Sequence, residues 1–247
     1  MNYIENANLP EKKVKTVIAG GLSEETQRSL NKYGVEVIKI RTANTVDSRI
    51  SSHADLVFLS LGGDNSAIAK EADYLAETAP INGMNIIKSD ILLADKYPYD
   101  CPLNCVIIGK YMICNVDTVR KDVLEYCMRN SFIILNVNQG YTKCSVVPVS
   151  ENAVITDDIS VYNGCKDKLD VLLVDKGFVR LGGFEYGFIG GSAGKLGRNL
   201  LAFTGRIYDD LIRKKIENFC LLHNVKCVYL SDEKIYDVGS IIPITEE

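Results

Sequence analysis

Short apolar runs alternate along the chain with amphipathic stretches, a pattern typical of α/β proteins. The runs are bounded by turn-forming residues, which favours buried strands. They lie at 17–19, 56–59, 105–108, 132–135, 145–149, 171–174, 199–203 and 240–244. Helical spacing of apolar residues predicts helices over 23–33, 65–77, 116–129, 157–168 and 209–223. The first of these helices starts at an N-capping residue, Ser23, and ends before Gly34.

A block with a polar start, an apolar strand, a short turn and a second strand recurs along the chain. The equivalent positions are Asp55, Asn104, Lys143, Arg198 and Gly239. The fifth block, 237–244, lacks a second strand, and an early strand at 15–19 lacks a hairpin partner. Pairing these two closes five units into a ring with few exposed edges. The predicted fold is therefore an α/β, five-bladed propeller in a single domain over 1–247. A doubly wound sheet is the alternative.

Charge and composition narrow the function. The chain has 247 residues, with 28 Lys and Arg against 32 Asp and Glu, so its net charge is −4. A nucleic-acid-binding protein usually carries a basic surplus, so no nucleic-acid partner is expected. No apolar run approaches the roughly 20 residues of a membrane helix, and the start lacks the features of a signal peptide. We therefore expect a cytoplasmic protein without a membrane partner.

The eight cysteines indicate thiols rather than a structural framework. No C-x-x-C pair occurs, and no pair of histidines lies near the closest cysteines, so neither disulfides nor a zinc site are expected. The sequence predicts neither a metal nor an organic cofactor.

Of the two histidines, His53 is the candidate for chemistry. His223 ends a predicted helix, where a positive charge is favoured, and is interpreted as structural. His53 starts a buried strand two residues before Asp55. Residues two apart in a strand share a face, so the carboxylate can orient the imidazole within one pocket. The alternative is a structural histidine bound to a backbone carbonyl.

Cys144 holds the corresponding position in the third block, directly after Lys143. A neighbouring cation lowers the pKa of a thiol, and a Cys with a His can act as nucleophile and acid/base. Cys105 lies at the same position of the second block in apolar surroundings. A purely structural Cys144 therefore stays open.

The segment 190–197 is the richest in glycine. It fails the phosphate-loop pattern G-x-x-x-x-G-K-[ST], because Ile189 and Leu196 stand where glycine and a hydroxyl residue are required. We predict instead a flexible loop over the centre of the ring. Lys195, with Arg198 beside it, would then contact an anionic group.

Two motifs resemble a known family. The segment 53–58, H-A-D-L-V-F, resembles the motif H-x-D-x-x-F, and 140–147 resembles the strand that carries a nucleophilic cysteine. The chain is thus similar to the penteins, five-bladed α/β propellers that modify guanidino groups. They include arginine and agmatine deiminases, amidinotransferases and dimethylarginine dimethylaminohydrolase. The resemblance points to a bacterial member outside these named enzymes. It implies that Cys144 is the nucleophile and His53 the general acid and base, while Asp55 orients His53 or binds substrate.

The sequence departs from this family in two ways. The His unit precedes the Cys unit, so the order of the units is circularly permuted. The family also places acidic residues in the two units that fall last here, to hold the guanidinium. Only Asp237 matches, and Asp64 and Glu185 are weaker acidic candidates. Lys195 and Arg198 occupy the other positions, where a basic group would repel a guanidinium.

The predicted function is a Cys-dependent hydrolase or transferase that acts on a guanidine- or amidine-like small molecule through a covalent thiol adduct. One alternative is a catalytically inactive pentein that binds a small molecule or acts as a scaffold, like the ribosome anti-association factor of this fold. Another is a binder of an anionic metabolite through Lys195 and Arg198. A homo-oligomer is compatible with each.

Overall fold

The computed structural model describes residues 2–247 and divides them into strands, α-helices and three 3-10 helices. The strands are β1 (Asn2–Tyr3), β2 (Val14–Ala19), β3 (Glu36–Lys39), β4 (Phe58–Gly62), β5 (Asn65–Ile68), β6 (Asn85–Lys88), β7 (Val106–Ile108), β8 (Tyr111–Cys114), β9 (Ile133–Asn136), β10 (Val146–Ser150), β11 (Ala153–Thr156), β12 (Asp170–Leu173), β13 (Ala193–Gly197), β14 (Leu200–Phe203), β15 (Lys226–Tyr229) and β16 (Ile242–Glu246). The α-helices are α1 (Glu24–Lys32), α2 (Ala54–Val57), α3 (Lys121–Arg129), α4 (Thr142–Ser145), α5 (Ile159–Cys165) and α6 (Asp210–Leu222). The 3-10 helices are Lys70–Glu77, Ile81–Gly83 and Gly190–Ser192.

The strands form five small sheets, as the repeated blocks predict. Four sheets share one plan, in which an antiparallel hairpin is followed by a third strand parallel to the second. Their strand orders are β4-β5-β6, β7-β8-β9, β10-β11-β12 and β13-β14-β15. A helical segment connects the second strand to the third, because parallel neighbours need a crossover.

The fifth sheet joins the two ends of the chain, with strand order β1-β16-β2-β3. β16 pairs antiparallel with β1 and with β2, which confirms the predicted pairing of the early strand with the fifth block. Contacts also run between the first strands of neighbouring sheets, from β4 through β7, β10 and β13 to β16. The five units therefore form the predicted α/β propeller.

Local sequence signals explain some elements and fail for others. The side chain of Ser23 accepts the N–H of Thr26, so α1 begins where its cap predicts. α6 likewise begins after the capping residue Asp209. The predicted helix over 65–77 is instead β5 followed by a 3-10 helix, because Asn65–Ile68 pairs with a strand on each side. No helix among residues 2–247 combines the length and apolar character needed to cross a bilayer.

The fourth block has a different register from the predicted one. β13, not the run at 199–203, is its first strand, and β14 is its second. Arg198 therefore lies in the hairpin turn. The glycine-rich segment is not a flexible loop, because Gly190–Ser192 forms a 3-10 turn and β13 follows it. Its glycines permit close packing: a Cβ on Gly194 would lie 2.0 Å from the backbone oxygen of Ile241.

Candidate active site

The segments that precede the five first strands converge at one end of the ring. They are 53–57 before β4, 104–105 before β7, α4 before β10, the 3-10 turn before β13 and 237–240 before β16. Backbone hydrogen bonds join them: Asp55 N–H donates to Gly239 O over 3.0 Å and Ser240 N–H to Gly191 O over 2.8 Å. Thr142 N–H likewise donates to the oxygen of Asn104 over 3.2 Å. The ring therefore brings distant parts of the chain to one place.

His53, Asp55 and Cys144 form a buried cluster at this end. One donor atom of each lies within 4.8 Å of those of the other two, which is also close enough for the three to share a metal ion. Their residues are 4%, 1% and 2% exposed. His53 and Asp55 reach the cluster through a helical turn, since His53 caps α2, and not through the strand alternation that the sequence analysis assumed.

The contacts within the cluster differ from the expected pairing of His53 with Asp55. Cys144 Sγ donates to Asp55 Oδ2 over 3.1 Å. His53 Nδ1 lies 3.8 Å from Asp237 Oδ1, an ion-pair distance rather than a hydrogen bond. Asp237, and not Asp55, is therefore the carboxylate that faces the imidazole, while Asp55 faces the thiol.

The backbone holds Asp237 in place. Its Oδ1 accepts the N–H of Gly239 and its Oδ2 accepts the N–H of Phe188, both over 2.9 Å. Burial raises the pKa of Asp237, and the charge of His53 opposes this shift. A Cβ on Gly191 would lie 1.9 Å from Asp237 Oδ1, so only glycine leaves room for this carboxylate. Asp237 is suited to holding His53.

Asp55 keeps one oxygen free for a further contact. Its Oδ2 accepts from Cys144 Sγ and, over 2.8 Å, from Ser240 Oγ. Its buried Oδ1 has no hydrogen-bond partner among residues 2–247. A buried carboxylate oxygen without a partner is costly, and an N–H donor of a bound molecule would satisfy it.

Sequence reasoning missed two polar side chains of the site, Asn104 and Ser240. Asn104 Nδ2 donates to Cys144 Sγ over 3.2 Å, and its Oδ1 accepts the N–H of Cys144 over 3.1 Å. Ser240 Oγ accepts from Lys143 Nζ over 2.9 Å. The equivalence of Asn104 with Asp55 in the repeat was the available signal for Asn104.

The surroundings of Cys144 disfavour its thiolate. Burial raises its pKa well above the usual range, and the negative charge of Asp55 adds to this. The sequence analysis expected a lowered pKa from the neighbouring Lys143. Burial lowers the pKa of Lys143 itself, against the attraction of Asp55.

A cavity of about 330 Å³ opens onto the cluster. His53, Cys144 and Asp237 line it, and its remaining wall is largely apolar and consists of Ile50, Tyr141, Leu181, Phe184, Glu185, Tyr186 and Phe188. Tyr141 stacks on Phe188 with ring centroids 6.2 Å apart. The guanidinium of Arg49 lies over the ring of Phe184, 3.9 Å from its centroid. The cavity has the size and lining of a site for a small molecule.

Three predicted substrate-binding residues lie elsewhere. Asp64 lies in the hairpin turn between β4 and β5, and Arg198 pairs with Glu11 over 2.9 Å in the turn between β13 and β14. Lys195 is buried within β13, where its Nζ donates to the backbone oxygens of Val149 and Arg198. Burial lowers the pKa of Lys195 to about 8. The shifted register of the fourth block explains the misplaced Lys195 and Arg198.

The fold is shared with guanidino-modifying enzymes of known structure. The chain is similar to the inosamine-phosphate amidinotransferase of Streptomyces griseus, with a TM-score of 0.61, 11% identity and coverage of 100% of this chain and 97% of that one. It is similar to the agmatine deiminase of C. jejuni with substrate bound, with a TM-score of 0.56, 11% identity and coverage of 97% and 96%. It is also similar to the dimethylarginine dimethylaminohydrolase of Pseudomonas aeruginosa with citrulline, with a TM-score of 0.53, 8% identity and coverage of 89% of this chain and 92% of that one. These likenesses define a protein of the pentein fold.

Within that fold the chain belongs to a family of unknown function, DUF6873, whose sequence model matches residues 17–242. The chain is also similar to the urease accessory protein UreG of Streptococcus thermophilus, at 27% identity over 146 residues. That similarity covers 54% of this chain and spans 65% of the length of the relative. The UreG of Streptococcus salivarius gives the same values.

Proposed function

We propose that this chain is a cysteine-dependent hydrolase or transferase that acts on a guanidine- or amidine-like small molecule through a covalent thiol adduct. The observation that supports it most strongly is the buried cluster of Cys144, His53 and Asp55, in which Cys144 and His53 line one small-molecule cavity. The proposal assigns no metal or organic cofactor and treats 1–247 as one domain. We also place the protein in the cytoplasm. Its proposed partner is a small molecule, and neither nucleic acid nor a membrane is a proposed partner.

The charges around the cavity favour a cationic group. The acidic residues Asp237 and Glu185 line the cavity, and Glu185 is exposed. Aromatic faces such as that of Tyr141 also attract cations. The repulsion expected from Lys195 and Arg198 does not act here, because neither lines the cavity.

The first half of the reaction forms the adduct. Cys144 Sγ attacks the central carbon of the guanidinium, the thiol gives up its proton, and the C=N π pair moves onto nitrogen. His53, in its protonated form beside Asp237, then gives a proton to the departing amine as the C–N bond breaks. The product of this half is a thiouronium on Cys144.

The second half releases the product. Neutral His53 takes a proton from water as the oxygen adds to the same carbon. The C–S bond then breaks, the sulfur regains the proton that it gave up, and the urea forms as the hydroxyl proton passes to solvent. In a transferase an acceptor amine replaces water.

A catalytically inactive, ligand-binding pentein is the second candidate. The observation that favours it is the raised pKa of Cys144, because a raised pKa disfavours the reactive thiolate. This candidate predicts binding without an adduct. It requires the cavity and not the sulfur.

Turnover and adduct formation separate the two candidates. A panel of guanidines and amidines is incubated with the protein between pH 6 and 9.5, with release of ammonia or amine assayed. Intact mass after acid quenching detects the adduct. We expect release from the native protein and from Cys105→Ala, a buried control outside the cavity, and none from Cys144→Ala. A ligand that raises the melting temperature without release or adduct contradicts the enzyme and supports the binding protein.

A further inference from the structure

A second layer of polar side chains lies behind the thiol. Lys143 Nζ donates to Ser240 Oγ over 2.9 Å, and Ser240 Oγ donates to Asp55 Oδ2 over 2.8 Å. The same Oδ2 accepts from Cys144 Sγ over 3.1 Å. An ammonium is thus connected to the nucleophile through one hydroxyl and one carboxylate.

All the side chains in this series of hydrogen bonds are buried. Lys143 is 5% exposed, Ser240 0% and Asp55 1%. Charge interactions link the ammonium of Lys143 with Asp55, Cys144 and Asp237. A buried charge is costly unless it is paired, and through Ser240 the ammonium of Lys143 is such a partner for the carboxylate of Asp55.

The backbone turn at 239–240 separates this series of hydrogen bonds from the pair formed by His53 and Asp237. Gly239 and Ser240 both have left-handed φ values, 68° and 74°. A Cβ on Gly239 would lie 2.3 Å from the Cβ of His53, so the turn packs directly against the histidine. The turn therefore presents the Ser240 hydroxyl to Asp55 and holds Asp237 towards His53.

We propose that Lys143 is a positioning residue for the nucleophile: through Ser240 it holds the carboxylate of Asp55 against the thiol, so that Asp55, and not His53, accepts the proton of Cys144. The use of this proton transfer in turnover rests on the proposed function. Its effect on Cys144 in the protein without substrate is independent of the proposed function. Lys143 acts through Ser240 rather than by contact with the sulfur.

The proton transfer balances without a further reactant. As the S–C bond forms, the S–H bond breaks and its proton moves to Asp55 Oδ2, while the C=N π pair moves onto nitrogen. Lys143 and Ser240 keep their protons and stabilise the carboxylate before the step. When the sulfur leaves, Oδ2 returns the proton. His53 is thereby free to serve the leaving amine and the water.

The pH dependence of Cys144 alkylation by iodoacetamide tests the proposal without any substrate. Groups that face the sulfur are Asp55, Asp237, Lys143, Asn104, His53 and Tyr141. Peptide mass spectrometry gives the midpoint of the rate for this cysteine. In Lys143→Met we expect the midpoint to rise by about one pH unit, a roughly tenfold slower alkylation at a fixed pH below it. Lys195→Met, which removes another buried lysine, is expected to leave the midpoint unchanged.

Two further variants decide the result even where Lys143→Met does not fold. Ser240→Gly removes the hydroxymethyl side chain and suits the left-handed backbone, and we expect a smaller upward shift. His53→Gln combined with Asp237→Asn removes both charges of this pair together and is expected to leave the midpoint in place. An unchanged midpoint in Ser240→Gly, or a shift in this double variant larger than in Ser240→Gly, overturns the proposal. Turnover of a guanidine with an unchanged midpoint would overturn this proton route and still support the proposed function. A shifted midpoint without turnover would do the reverse.

Discussion

The thiol of Cys144 and the carboxylate of Asp55 share a hydrogen bond of 3.1 Å although 89 positions separate them in the chain. The two residues precede the first strands of different sheets, β10 and β4. Their contact therefore exists only in the closed ring.

Asn104 is expected to affect both stability and reactivity. Asn104→Ala leaves the buried N–H of Cys144 without an acceptor, which costs about 1–3 kcal/mol of unfolding free energy. The sulfur also loses a donor that favours its ionised form, so the alkylation midpoint rises. Asn8→Gly, which removes a buried amide bound to Ile107 O, is the control in urea unfolding and alkylation. Equal alkylation midpoints in Asn104→Ala and Asn8→Gly would contradict the prediction.

Gly191 is expected to be intolerant of any side chain. The Cβ of Gly191→Ala would overlap Asp237 Oδ1 at 1.9 Å, so Asp237 must move away from His53. We expect a loss of about 1–3 kcal/mol in unfolding free energy, as for overpacking of a core. Gly182→Ala is the matched control, because a Cβ there meets nothing within 4 Å. A native-like Gly191→Ala, measured by urea unfolding, would show that Asp237 is not held as described.

Asp157 is expected to lower the stability of the folded state as the pH rises. Burial raises its pKa to about 7, although Ile189 N–H donates to its Oδ2 over 2.9 Å. The unfolded chain loses this proton near pH 4 and the folded chain near pH 7, so stability falls between these values by about 1.4 kcal/mol per pH unit. Asp157→Asn removes this slope in urea unfolding at pH 5 and 7.

Asp158 provides the control of opposite sign. Burial would raise its pKa, but hydrogen bonds from Ser160 and the charge of Lys176 outweigh burial and lower it. Its stabilising contribution is therefore present above pH 4 and lost only in acid. Asp158→Asn should keep the native slope between pH 5 and 7. If Asp157→Asn kept that slope as well, another group would be responsible.

Phe184 is expected to limit the size of molecules that reach Cys144. Its ring lies at the cavity wall beneath Arg49, which also donates to Gly183 O over 2.7 Å. Phe184→Ala should raise the rate of Cys144 labelling by a bulky maleimide several-fold and change that by iodoacetamide little. Leu211→Ala, at an exposed position of α6 outside the cavity, is the control. Equal effects on both reagents would argue against a wall role.

The sequence predicts the ring better than the site, for physical reasons. Apolar periodicity and caps report local structure, so five units and the pairing of β2 with β16 follow from them. The first residues of two predicted strands, near Asp55 and Cys144, form helical turns because the backbone must turn the side chains inward. No local pattern carries that requirement. The circular permutation stays a prediction.

Glycines misled the prediction of the fourth block. Residues 190–197 have the composition of a loop, but close approach of neighbouring backbone, as at Gly194, requires the same residue type. Moving the register by one strand put Lys195 and Arg198 at the wrong end of the ring. The roles of Asp55 and Asp237 depend on distances between sheets, which only the fold determines.

The sheet that contains both chain ends imposes an order on folding. Four hairpin units involve neighbours close in sequence, whereas Asn2 aligns with Glu246 across the whole chain. Closing so long a loop costs entropy that its contacts return only at the end. Amides of β16 should therefore gain protection last in pulsed hydrogen exchange during refolding, and early protection would contradict this order. Since Asp237 and Ser240 directly precede β16, this order predicts that Cys144 acquires its surroundings only in the final step of folding.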